Sequence, residues 1–165
     1  MLVVSNTSPL RYLIAAGLAD LVANLFGTVL IPRAVERELL DPHTPPSVRD
    51  WMARRPQWIE TQPVCLQPDV ELTSQLHSGE AEAIQLALER RTDVILMDER
   101  RSRQLATARG LTVIGALGVL RESYRRNLIQ NPLTLAARLR SNGYRCSRAL
   151  MRRFEEQIQD VRLTR

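Results

Sequence analysis

Asp98 closes the apolar run VILMD, and in open α/β sheets ligands bind outside the carboxyl ends of the strands. A strand-end carboxylate is therefore a functional candidate, although an Asp there can equally cap the helix that follows, whose first turn would hold Glu99. The first apolar run, LVVS, leads in the same way into Asn6, Thr7 and Ser8. Ser8 suits the role of helix cap, which leaves Asn6 without an ordinary explanation. In the segment GEAEAIQLALER, spacing of 100° per residue puts Ala83, Ile84, Ala87 and Leu88 on one apolar arc with Glu80 at its centre. A carboxylate on a buried face is costly unless it is paired, hydrogen-bonded or bound to a metal. An acid in the first turn of a helix also simply favours the helix dipole. Glu82 and Glu89 fall on the opposite side, so Glu82 is expected to face solvent. A fourth candidate lies in IPRAVERELL, where Val35 and Leu39 define the inward face and Glu38 and Glu36 flank it at about 60° and about 100°. Periodicity prefers Glu38, while Glu36 reads better as a surface acid answering Arg33 or Arg37.

The elements that carry these residues alternate between short apolar runs and helical ones, which predicts helices on both faces of a mostly parallel sheet. Strands are expected at Leu2–Asn6, Thr28–Ile31, Val94–Asp98 and Thr112–Ile114. Helices are expected at about 9–16, 19–25, 32–41, 79–91, 99–109, 116–126, 132–141 and 147–160. Their starts are marked by Ser8-Pro9, by Pro32 and by Asn131-Pro132, each with Pro at or near the first helical position. The stretch DPHTPPS, 41–47, reads as a loop, and residues 56–78 show little periodicity. No repeat, low-complexity tract or linker divides the chain, so one domain over 1–165 is expected, with a basic helical extension at about 127–165.

Composition narrows the class. Hydrophobic residues at 44% and charged residues at 25% are those of a globular chain with a packed core. The N-terminal MLVVSNTSPLRYL has no basic region ahead of an apolar core, and no apolar run approaches the roughly 20 residues of a membrane helix, so a cytoplasmic protein without membrane contact is expected. Cys65 and Cys146 are too few and too far apart for a disulfide framework or a zinc site. Charge is unevenly divided: residues 1–98 carry 8 Arg and 13 acids, and residues 99–165 carry 15 Arg and 5 acids. Clustered cations attract phosphates with little sequence dependence, so the second half is expected to face a polyanion or an acidic partner. All 23 basic residues are Arg, which suits bidentate phosphate contacts and also fits the coding bias of a GC-rich genome.

Taken in order, VVSNTSPL, VLIPRAVERELL, HSGEAEAIQLAL and VILMDERRSRQLATARGLTVIGALGVL, followed by a basic helical tail, resemble the PIN-domain-like proteins grouped as prokaryotic family of unknown function 3368. These are relatives of the VapC-type toxin ribonucleases, and the resemblance spans about residues 2–145. It implies a three-layer α/β/α fold with a mostly parallel central sheet. It also implies four side chains converging on a divalent metal, Mg²⁺ or Mn²⁺, which fall here on Asn6, Glu38, Glu80 and Asp98. The nuclease pattern has Asp at the first of these positions. Asn offers only a neutral carbonyl oxygen, so Glu38, Glu80 and Asp98 leave three formal negative charges, enough for one hydrated Mg²⁺ and less suited to a tightly held pair.

Two functions are compatible with that set. The first is a metal-dependent endoribonuclease, the toxin of a toxin–antitoxin pair. In it Glu38, Glu80 and Asp98 hold the metal, Asn6 with Thr7 or Ser8 assists at the metal, its water or the bound RNA, and Arg100, Arg101 and Arg103 grip substrate phosphates. The second is a degenerate PIN-like module that binds RNA or a protein partner without cleaving. In both, Arg138, Arg140, Arg145, Arg148, Arg152 and Arg153 form a cationic surface for single-stranded or structured RNA, with an antitoxin protein or a second copy of the chain as further partners. A flavodoxin-like or nucleotide-binding domain is disfavoured, because no Gly-rich phosphate loop follows a strand and GALGVL at 115–120 lacks the pattern.

Overall fold

A computed structural model describes residues 1–163, so the last two positions of the expected 127–165 extension lie outside the described residues. Five short strands form one sheet: β1 (Val3–Ser5), β2 (Val29–Pro32), β3 (Ile59–Gln62), β4 (Val94–Leu96) and β5 (Val113–Ile114). All are parallel, in the order β3-β2-β1-β4-β5. Alternate residues of the central strands serve opposite faces, as the pleat requires. Val3, Val29 and Leu96 join one core cluster, while Val4, Leu30 and Ile95 join another. Helices cover both faces, giving the three-layer α/β/α arrangement expected from the alternation. Among the described residues no helix is long and apolar enough to cross a membrane.

The helices are α1 (Thr7–Ala15), α2 (Asp20–Phe26), α3 (Arg33–Leu40), α4 (Pro46–Ala53), α5 (Val70–Gln75), α6 (Ser78–Arg90), α7 (Arg100–Ala108), α8 (Ala116–Arg125), α9 (Pro132–Ser141) and α10 (Arg148–Leu163). Through Ala136, Leu139, Phe154 and Ile158, α9 and α10 enter the same core cluster as Val3 and Leu96. The basic tail is thus bound by apolar contacts on its inner side while its arginines stay outside.

Several local expectations are corrected. The loop expected over 41–47 yields to α4 at Pro46, which occupies the first turn, where a missing N–H breaks no helical bond. Helix α1 begins at Thr7 with Asn6 at its N-cap position, so Pro9 is the third helical residue and Ser8 is no cap. Within α6, Leu86 is buried and Leu88 is 37% exposed, which widens the inward arc on the side away from Leu88. Glu82 sits at the edge of that wider arc instead of in solvent. Its Oε2 accepts the Ala34 N–H at 3.0 Å, and its Oε1 lies 3.7 Å from the Arg37 guanidinium. It thereby supplies an acceptor to the otherwise unpaired first turn of α3. Glu82→Ala is expected to destabilise the protein by about 1 kcal/mol in urea denaturation, the usual value of an N-terminal cap; an unchanged midpoint would make the contact incidental.

Candidate functional site

The sheet order places β2 and β3 on one side of β1, and β4 and β5 on the other. The chain therefore reverses its direction of winding between β1 and β4, and a doubly wound sheet opens a crevice at that point, outside the carboxyl ends of those two strands. Ser5 pairs with Leu96, and the Asn6 N–H donates to the Leu96 carbonyl at 3.0 Å. Asn6 and Asp98 consequently emerge on the two sides of the crevice.

Asn6 is 1% exposed. Its Nδ2 donates to Glu99 Oε2 at 3.2 Å, while its Oδ1 has no hydrogen-bond partner. Ser8 Oγ donates to the other oxygen of Glu99, so that carboxylate is drawn across the start of α1. Asp98 Oδ1 accepts the Ala116 N–H at 2.9 Å, at the N-terminus of α8, and the Tyr144 hydroxyl at 3.3 Å. Its Oδ2 is shut off from solvent with no partner. Desolvation raises the Asp98 pKa to about 6; the Ala116 N–H and Arg103 oppose that rise and the Glu99 charge adds to it. Burial likewise raises the Tyr144 hydroxyl above its ordinary value, so it stays a proton donor to Asp98. Tyr144 is steadied by an edge-on contact with Tyr12, ring centroids 5.4 Å apart. A Cβ on Gly115 would come within 2.5 Å of Asp98 Oδ1, so only glycine lets the start of α8 approach the carboxylate this closely.

Glu38 forms a second focus. Thr7 Oγ1 donates to its Oε2, and the Gly79 N–H donates to its Oε1 at 2.9 Å, with Ser78 Oγ at 3.4 Å. A Cβ on Gly79 would meet Glu38 Oε1 at 2.6 Å. Helices α3 and α6 thus cap one another: Glu38 of α3 caps the start of α6 while Glu82 of α6 caps the start of α3. Glu80 turns back on its own helix, where its Oε2 accepts the His77 N–H at 3.1 Å.

The structure therefore brings Thr7 to Glu38, and Asn6 and Ser8 to Glu99, on one strand-to-helix turn. Asp98 is the next residue to Glu99, and Glu80 is held by a contact within α6. Among the described residues no three Asp, Glu, His or Cys side chains are grouped to hold one cation. The donor set nevertheless suits a hard cation, being all oxygen and including two acceptors without donors, Asn6 Oδ1 and Asp98 Oδ2. Mg²⁺ commonly takes only one or two carboxylates and fills its shell with water and phosphate oxygens.

Of the arginines, Arg100 and Arg101 are exposed in the first turn of α7, where the helix dipole disfavours cations and an anion would relieve them. Arg103 is half-buried and donates to the Met97 carbonyl at 2.7 Å. Arg152 and Arg153 face different depressions, Arg152 with Arg140 and Arg148, and Arg153 with Arg103 and Arg121. Sequence patterning does not single out Glu99, Tyr144 or Arg121 as site residues. The tandem acids Asp98-Glu99 at a strand end are a usable signal for the first, whereas nothing local marks Tyr144.

A family model described as PIN domain matches residues 2–160 of this chain. No curated protein and no solved structure is significantly similar to it.

Proposed function

The chain belongs to the PIN-domain family, and from that premise we propose that it is a Mg²⁺- or Mn²⁺-dependent endoribonuclease acting as the toxin of a toxin–antitoxin pair. The observation that carries the reading is the pair of donorless buried oxygens, Asn6 Oδ1 and Asp98 Oδ2, at the reversal point of the sheet. Asp98, Asn6 and Glu38 would hold the cation, with Glu99 bonded to the Asn6 amide and Glu80 bonded to the His77 N–H. A bound divalent ion there supplies Lewis-acid charge against the scissile phosphate and a water of lowered pKa.

The chain's own groups do the positioning. Ala116 and Tyr144 occupy one oxygen of Asp98 and leave the other without a donor. Thr7 and Gly79 fix Glu38 by donating to its two different oxygens. Glu99 holds the Asn6 amide by its nitrogen, which turns the carbonyl oxygen away from that contact. Arg100 and Arg101 are free to take the phosphates on either side of the scissile bond, and Arg103 orders the turn by its bond to Met97.

The test is cleavage of a labelled single-stranded RNA across Mg²⁺ and Mn²⁺ titrations, with an EDTA arm. Metal-dependent internal cuts are expected; no cleavage at any metal concentration would replace the enzyme with a non-cleaving RNA- or protein-binding module. That second reading draws on one observation, the neutral Asn6 amide engaged by Glu99 where a metal-binding acid would stand. Growth arrest on expression, relieved by the product of a neighbouring small gene, tests the toxin role.

RNA binding is expected to weaken with salt. Arg152→Ala and Arg153→Ala should each reduce the slope of log K against log salt by about 0.7, the share of one phosphate on a single strand. Because the two side chains face different depressions, the single variants report on separate surfaces. An unchanged slope in both would place the RNA backbone elsewhere on the protein.

A further inference from the structure

We propose that the cavity lined by residues of α7, α8 and α10 beside Asp98 binds one nucleotide unit of an RNA chain, with phosphate on its arginines and base on its apolar wall. The inference rests on the ribonuclease reading for the source of the nucleotide. The binding itself requires neither metal nor cleavage.

The cavity measures about 280 Å³. Sites for small organic ligands begin at roughly 300 Å³, so this one suits a single nucleotide and not a length of chain. Its lining divides by chemistry. Arg103 from α7, Arg121 from α8 and Arg153 from α10 bring three guanidinium groups from three separate elements, and Asp98 is the one acid among them. Arg103 is committed in part to the Met97 carbonyl. The side chains of Arg121 and Arg153 make no hydrogen bond or ion pair with any described residue. Arg121 is half-buried even so, and a cation withdrawn from water without a counter-charge is unfavourable until an anion joins it. Arginine forks match phosphate oxygens in bidentate fashion, so phosphate is the anion they recognise best.

Inorganic phosphate would leave the rest of the lining wet. That part is apolar, with Leu117 and Phe154 already buried and Ile114 and Leu150 still partly open to solvent, and a flat hydrophobic group would cover what is open. A nucleobase is such a group and comes covalently joined to phosphate. Gln157 is the one side-chain amide in the lining, able to donate and accept at a base edge. An acidic peptide would satisfy the arginines but would set its carboxylates against Asp98 and bring no planar ring.

The experiment is calorimetric titration of the full chain in EDTA with the four nucleoside 5′-monophosphates, inorganic phosphate and polyglutamate. The variants are Arg121→Gln, Arg153→Gln and Gln157→Leu, with thermal melts to confirm folding. Monophosphates are expected to bind at least tenfold more tightly than inorganic phosphate. Arg121→Gln should weaken all four about tenfold, and Arg153→Gln, at an exposed position that tolerates change, serves if the first variant fails to fold. Gln157→Leu should alter the ranking among the four bases. The proposal is overturned if phosphate or polyglutamate binds as tightly as the monophosphates, if neither arginine variant weakens binding, or if the ranking is the same without Gln157. Monophosphate binding without RNA cleavage would sink the enzyme reading alone, and cleavage without monophosphate binding would sink this inference alone.

Discussion

Asp98→Asn is expected to lower RNA cleavage by a factor of about 100 or more and, in the same molecule, to raise the stability of the metal-free protein at neutral pH. The first effect follows from removing a charged oxygen that would hold the cation; such contacts are worth several kcal/mol in the transition state, and about 1.4 kcal/mol is tenfold in rate. The second follows from linkage. Burial raises the Asp98 pKa from the ordinary 3.8 to about 6. The folded state therefore holds this proton more tightly than the unfolded state between those values. Its contribution to stability is greatest below pH 4 and is lost as pH rises through about 6, a change on the order of 3 kcal/mol. Asn carries no titrating proton, and its Oδ1 can keep both the Ala116 and Tyr144 donors. The free-energy gap between wild type and variant, measured by urea denaturation in EDTA, should thus shift in the variant's favour from pH 4 to pH 7. Parallel pH profiles would mean that the carboxyl remains hydrated, and equal cleavage rates would remove Asp98 from the site.

Asn6→Asp is expected to have the largest effect on stability without metal. The side chain is buried and its Nδ2 donates to the Glu99 carboxylate. Asp would replace that donor with an acceptor, placing two carboxylates in contact where one hydrogen bond stood. An uncompensated buried charge costs about 3 kcal/mol or more, unless one of the pair takes up a proton. A substantial loss of stability in EDTA is therefore expected, together with recovery on adding Mn²⁺, since a cation between two carboxylates removes the repulsion. Denaturation midpoints across a Mn²⁺ titration measure both effects. If wild type and variant are equally stable in EDTA, the Asn6–Glu99 contact does not persist in solution. If Mn²⁺ restores stability but cleavage falls, the site is tuned to the neutral amide.

Four of the five strands are legible in the sequence because they are continuous apolar runs, which only a strand covered on both faces requires. β3 is not, because IETQ carries an exposed Glu60 at the sheet's edge and alternates too briefly to stand out. α4 is hidden by its own start, since Pro45-Pro46 reads as a helix breaker until the second Pro is recognised as a first-turn residue. At the candidate site, the strand-end logic picks out Asn6 and Asp98, and both flank the reversal of winding. The helical phase is less reliable: a single-face count puts Glu82 in solvent because it ignores α3, whose unpaired N–H groups draw the carboxylate inward. Glu99 reads as an ordinary first-turn acid, and its engagement with Asn6 and Ser8 depends on strand pairing that spans more than 90 residues.

The bond from Tyr144 to Asp98 spans 46 residues of sequence. Synthesis proceeds from the N-terminus, so Asp98 and Glu99 are made well before the tyrosine and before the helices that present it. Through that interval Asp98 lacks one of its two Oδ1 donors, and α10, which brings Arg153 to the cavity beside it, has yet to be made. The site can reach its final form only once the tail has docked.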